Sequence, residues 1–175
     1  MIDVTHIKYG IVLALIAILF GGSLGLSFGC CEESIKRTLN QDAQAVFKEK
    51  YEGDQKLVDK VVNQSWVYLK RAHFHSQTMG VISIAFSILV SWLGLPGMLQ
   101  FTVSTLSGFG SLGYGFFWLL SGFMAPGLGS TGAAKHSVEL VAQVSAVSFF
   151  VAVVVTFVLV IHKMFIQRGS RKETA

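Results

Sequence analysis

Apolar residues in this chain collect into four long runs, at about 9–29, 76–95, 98–123 and 138–161, separated by one long polar stretch and two short breaks. A helix needs roughly 20 mostly apolar residues to cross roughly 30 Å of hydrocarbon, and each run reaches that length with almost no charge inside it. The pattern predicts an all-α integral membrane bundle of four transmembrane helices, a single membrane domain over residues 1–175. The polar stretch, 32–71, carries eight basic and seven acidic residues. Within it Leu57, Val58, Val61, Val62, Val67, Tyr68 and Leu69 recur at helical spacing. Since neither Gly nor Pro interrupts residues 54–79, an extramembrane amphipathic helix is expected to run straight into the second span.

The breaks have their own chemistry. In "LGLPGM", residues 93–98, Pro96 cannot continue a helical hydrogen-bond ladder and Gly97 permits a reversal, so the second and third spans should form a hairpin. "APGLGSTG", residues 125–132, reads as a flexible link to the fourth span. In the third span Ser104, Ser107, Gly108, Ser111 and Gly115 fall three or four apart on one face. Such a face lets backbones approach closely in lipid, and it is the expected contact for other membrane subunits.

Composition agrees with the pattern: 52% of the residues are hydrophobic, 14% are charged and the mean hydropathy is +0.58, too apolar for a soluble domain of this size. The first run resembles a signal or lipoprotein leader in placing a small residue before Cys30, but it is longer than the roughly 7–15 residues of a signal core; a retained span is favoured. Cys30 and Cys31 lack metal-ligand spacing, and adjacent cysteines bridge only with strain, so they read as membrane-edge thiols or lipid-attachment sites. The net charge of +4 comes from basic residues at helix edges, among them Lys163, Arg168, Arg171 and Lys172. They suit a lipid bilayer with anionic headgroups and give no reason to invoke nucleic acid. The tail from Gln167 is expected to fray.

Threading four spans puts both termini on one membrane face and the 32–71 segment on the other. The terminal face then has five Lys or Arg and the loop face nine, with acidic residues offsetting the latter, so charge leaves the orientation open. "GFGSLG", 108–113, fits the G-x-G-x-x-G spacing but lacks the strand and acidic residue of a dinucleotide site. "SLGYG", 111–115, lacks the pore helix of a potassium filter.

The histidines carry more information. His73, His75 and His136 belong to the loop face, each near the start of its span, whereas His6 and His162 belong to the terminal face and read as solvated interface residues. His73, Gln77 and Gly80 share one helical face, where Gly80 leaves room for a flat macrocycle or another backbone. His136, Glu139 and Gln143 form a second polar stripe, in which Glu139 is placed to orient the imidazole. His73 and His75 lie about 200° apart around a helix. A bis-histidine haem b would take His136 and one of the two, and a copper or zinc site would take all three. A third reading has no cofactor, with histidines simply resting at the interface.

"RAHFHSQTMGVISIAF", residues 71–86, resembles the basic-residue and histidine start of the second helix in the catalytic subunit of haem-copper oxidases and nitric oxide reductases, and also small membrane proteins with His-x-His followed by Gly. That resemblance implies a low-spin haem bound by His73 or His75 together with His136, with cytoplasmic termini and an external histidine face. The chain departs from the family in having four spans against about a dozen and no histidine cluster inside a span, so oxygen or nitric oxide reduction is not implied. The leading expectation is a small electron-transfer subunit of a redox complex in a prokaryotic cytoplasmic membrane, with quinol or a soluble cytochrome as partner and no catalytic residue of its own. The alternatives are a non-catalytic accessory or scaffold subunit and a transporter or channel component.

Overall fold

The computed structural model describes residues 4–166. Within them the chain is helical, in the order α1 (Lys8–Ala45), α2 (Phe47–Lys50), α3 (Gln55–Trp92), α4 (Gly97–Leu128), α5 (Thr131–Ser137) and α6 (Glu139–Ile161), followed by a π-helical turn at His162–Ile166. The expected fraying from Gln167 onward, and with it Arg168, Arg171 and Lys172, lies outside the described residues. Three helical segments, Lys8–Ala45, Gln55–Trp92 and Glu139–Phe165, are long and apolar enough to cross a membrane. The run expected as the third span, α4, has 32 residues, but its Gly and Ser content dilutes its hydropathy and leaves it outside that group.

The 32–71 segment differs from a single amphipathic helix. Its first part continues α1 and its second part begins α3, so the two 38-residue helices, each about 57 Å long, form an antiparallel hairpin. The reversal is local: Glu52 and Gly53 take left-handed angles (φ 53° and 81°). Asp54 then caps α3 by accepting from the backbone N–H of Lys56 at 2.8 Å and Leu57 at 3.3 Å. As the uninterrupted 54–79 stretch predicts, α3 runs on without a break. It stops at Trp92, where Gly94 is left-handed (φ 62°) and Pro96 precedes α4, giving the expected hairpin.

Residues 125–132 are ordered, not a flexible link. Pro126 sits in the last turn of α4, Gly129 closes the helix with φ 70°, and Ser130 opens α5 by accepting from the N–H of Gly132 and Ala133. Pro126 lacks the N–H that would bond back to the Gly122 carbonyl, and the helix ends two residues later. Cys30 and Cys31 also depart from expectation: their sulfurs are paired. Cys31 is the residue of α1 with non-helical angles (φ −135°, ψ 22°), and this break turns together two side chains that a regular helix would splay about 100° apart.

α4 is the hub, packed by α1, α3 and α6. A Cβ on Gly108 would stand 2.6 Å from the Gly10 carbonyl oxygen of α1, one on Gly110 2.7 Å from the Ser145 carbonyl oxygen of α6, and one on Gly115 would collide with the Ser76 hydroxyl of α3. The small-residue face expected to meet other subunits is thus covered by this chain's own helices. The buried serines stay compatible with an apolar interior because Ser76, Ser83, Ser87, Ser107 and Ser111 donate to carbonyls three or four residues back in their own helices.

Candidate functional site

The three loop-face histidines mark the upper rim of the bundle, and the fold gives each a different set of neighbours. His73 points from α3 to α1. Its Nδ1 lies 2.6 Å from the Gly21 carbonyl oxygen; a carbonyl only accepts, so Nδ1 carries the proton and a neutral ring leaves Nε2 as acceptor. Gly25 makes room for the ring, since a Cβ there would come within 2.6 Å of Cε1. Gln77 packs on Gly21, and a Cβ on Gly80 would meet Ile18 at 2.7 Å and the Ala14 carbonyl oxygen at 2.9 Å. The stripe His73, Gln77 and Gly80 therefore exists, and the room beside Gly80 is taken by the α1 backbone.

His75, two residues on, faces α4, as the helical angle requires. Its ring centroid is 5.3 Å from that of Tyr114 and 6.2 Å from that of Trp118, nearly parallel to the latter. His136, at the end of α5, is exposed. Its Nδ1 lies 2.8 Å from Glu139 Oε2, while Gln143 Nε2 donates to Glu139 Oε1 at 2.8 Å, so the second stripe forms as a relay with Nε2 of His136 left outward. Among the described residues, no group of three or more His, Cys, Asp or Glu side chains converges as a metal site. On the terminal face, His6 covers Gly97 and His162 is exposed at the start of the π-helical turn.

A cluster that the sequence reading passed over occupies the same rim. Tyr68, Ala72, Phe117 and Trp118 form a buried group, with Val138 and Ala142 of the α6 side packed against it. Arg71 stands over it, with its guanidinium carbon 4.8 Å from the Trp118 ring centroid and 5.6 Å from that of Tyr68; Lys135 Nζ is 6.0 Å from Tyr68. These are cation–π contacts. The signal was a Tyr and a Trp near span ends beside basic residues, but pairing them required knowing that Tyr68 and Trp118 face each other across the hairpin.

Beyond the rim, α1 and α3 continue as a polar head. Phe28 packs edge-on against Trp66 with centroids 5.1 Å apart, Lys36 lies over the Trp66 ring and pairs with Glu32, and Gln44 Nε2 donates to Gln55 Oε1 at 3.0 Å. A groove of about 290 Å³ opens among Lys36, Asn40, Asp59, Asn63 and Trp66. Comparison with family models, curated proteins and solved structures finds no match to this chain.

Proposed function

We propose that this chain is a four-span accessory subunit of a membrane complex, a bundle that holds a helical head at a fixed height and angle above the bilayer. The carrying observation is continuity: α1 and α3 each pass from the apolar bundle into the polar head, and the end of α4 and α5 brace that head through a buried cluster of Ala43, Tyr51, Val58, Val61, Ala125 and Ala134. α3, which does not break, transmits position, and α1 follows it across its kink at Cys31. α4 serves as the fourth span: its glycine- and serine-rich face packs on α1, α3 and α6, and Phe101, Phe109, Phe116 and Phe123 are left exposed for lipid. The head groove supplies an ammonium, a carboxylate and two amides for a polar partner.

A second reading, haem b in a small electron-transfer subunit, is favoured by one feature. The relay Gln143–Glu139–His136 holds an imidazole by Nδ1 and leaves Nε2 outward, which is how ligating histidines are oriented. On that reading His73 or His75 supplies the other ligand and the termini are cytoplasmic. A single preparation from native membranes separates the two. The accessory role predicts a colourless chain that copurifies with other integral proteins in constant ratio; a chain that purifies alone overturns it. A Soret band that His136→Ala abolishes transfers the assignment to haem.

A further inference from the structure

The rim cluster and the bundle wall below it are continuous. Tyr114, whose ring touches those of His75 and Trp118, also heads an apolar groove of about 480 Å³ between α3 and α6, lined by Met79, Ala146, Phe149, Phe150 and Val153. From Ala146 to Val153 the groove follows α6 for about 10 Å, in a segment apolar enough to face hydrocarbon. Directly above it stand two cations, Arg71 and Lys135. Arg71 and Lys135 make no ion pair among the described residues, and Glu139, the nearby carboxylate, is engaged by His136 and Gln143. The Trp118 indole N–H, beneath Arg71, is buried without an acceptor. The patch therefore gathers donors and cations and leaves them without an anion.

We infer that this surface binds an anionic phospholipid, with its phosphate on Arg71 and Lys135 and one acyl chain along the α3–α6 groove below Tyr114. Each half alone is common on membrane proteins; their succession along one line, cations over aromatics over an apolar trough, matches the sequence of groups in a lipid molecule. Basic residues at the bilayer surface attract anionic headgroups, and the aromatic rings set them at headgroup height. The site rests on α3 and α6 lying in a bilayer and is independent of the accessory role.

The test uses the full chain in nanodiscs of phosphatidylcholine and phosphatidylglycerol, with the lipid retained on release counted by native mass spectrometry. Wild type should retain phosphatidylglycerol preferentially. Arg71→Gln and Lys135→Gln should each reduce that preference about fivefold, the factor expected for one basic residue at an anionic surface, with Arg71→Lys largely retaining it. Ala146→Phe, which fills the groove from an exposed position, should remove retained lipid of both kinds while helicity is unchanged. Equal retention of the two lipids, or a preference indifferent to the Arg71→Gln/Lys135→Gln double change, overturns the site. So does inorganic phosphate that binds lipid-free protein equally well with Ala146→Phe, since the site then takes an anion without a chain. Failure to enter any disc would overturn the membrane reading too, whereas entry without preference overturns the lipid site alone.

Discussion

The Tyr51 hydroxyl donates to the Pro126 carbonyl oxygen at 2.7 Å, joining the tip of the α1–α3 hairpin to the end of α4 across 75 positions of sequence. Tyr51 is fully buried, and the carbonyl it meets belongs to the last turn of α4, where helical acceptors lose their intrahelical partners. The bond thus caps α4 and docks the head in one contact, with Gly129 N–H sharing the acceptor at 3.2 Å.

Tyr51→Phe keeps the ring and deletes the donor, so it isolates that contact. A buried hydrogen bond contributes about 0.5–1.5 kcal/mol; the shared acceptor keeps the expected loss near the lower end, read as a lower unfolding midpoint and faster limited proteolysis of the head. Burial raises the Tyr51 pKa above its ordinary value near 10. The neutral phenol is therefore the form the fold favours, and its contribution is complete below pH 10 and lost as pH rises through the folded-state value. Wild-type stability should fall above pH 10 more steeply than that of Tyr51→Phe, and parallel alkaline profiles would refute this.

Glycines in α4 divide sharply by what a side chain would strike. Gly108→Val drives carbon into the Gly10 carbonyl and the Leu13 side chain, and a backbone atom has no rotamer in which to yield; a loss of about 1–3 kcal/mol or more follows. Gly127, in the same helix, has nothing within 4 Å of a built Cβ, so Gly127→Ala should be neutral or stabilising by up to about 1 kcal/mol. Thermal unfolding in detergent, followed by tryptophan fluorescence, compares the pair directly.

Run lengths made the helical class and the apolar helices legible, and Pro96 made the 93–96 hairpin legible, because both signals are local and large; the reversal expected at Gly97 is made by left-handed Gly94, and Gly97 opens α4. The helical continuation of α1 through Glu32–Ala45 was harder to see, since polar residues on a solvated hairpin have weak periodicity. "EGD", residues 52–54, held the missing reversal in a left-handed Gly and a capping Asp. The histidine stripes were readable as faces because spacing fixes angle. Their partners were not: His73 meets a backbone carbonyl and Gly80 meets a backbone helix, and the backbone has no letter in the sequence. Small residues announced close packing on α4 without saying whether the chain or a partner would fill it.

The reversal at residues 51–54 gives two changes of opposite sign. Asp54→Ala removes the α3 cap and should destabilise by about 1 kcal/mol. Glu52 holds φ 53° with a side chain present, a conformation that disfavours non-glycine residues by roughly 1–2 kcal/mol. Glu52→Gly should therefore stabilise the head, by less than that amount because glycine loses more freedom on folding. Hydrogen exchange in α3's first turns is the readout; slower exchange in Asp54→Ala would contradict the capping role.

Substitution of the rim histidines separates packing from ligation. His73→Ala removes a donor to Gly21 and opens a gap beside Gly25 and Phe28, so the α1–α3 contact should weaken by about 1–3 kcal/mol, with or without a cofactor. His136→Ala deletes an exposed side chain whose bond to Glu139 is open to solvent, and such contacts are worth at most about 1 kcal/mol. In a cofactor-free protein the first change lowers the unfolding midpoint and the second leaves it nearly in place. If haem spans the rim, both lose the stabilisation that a bound ligand adds, and the two midpoints fall together, each accompanied by loss of colour. The difference between the two midpoints thus decides between the two readings of the rim without knowledge of any partner.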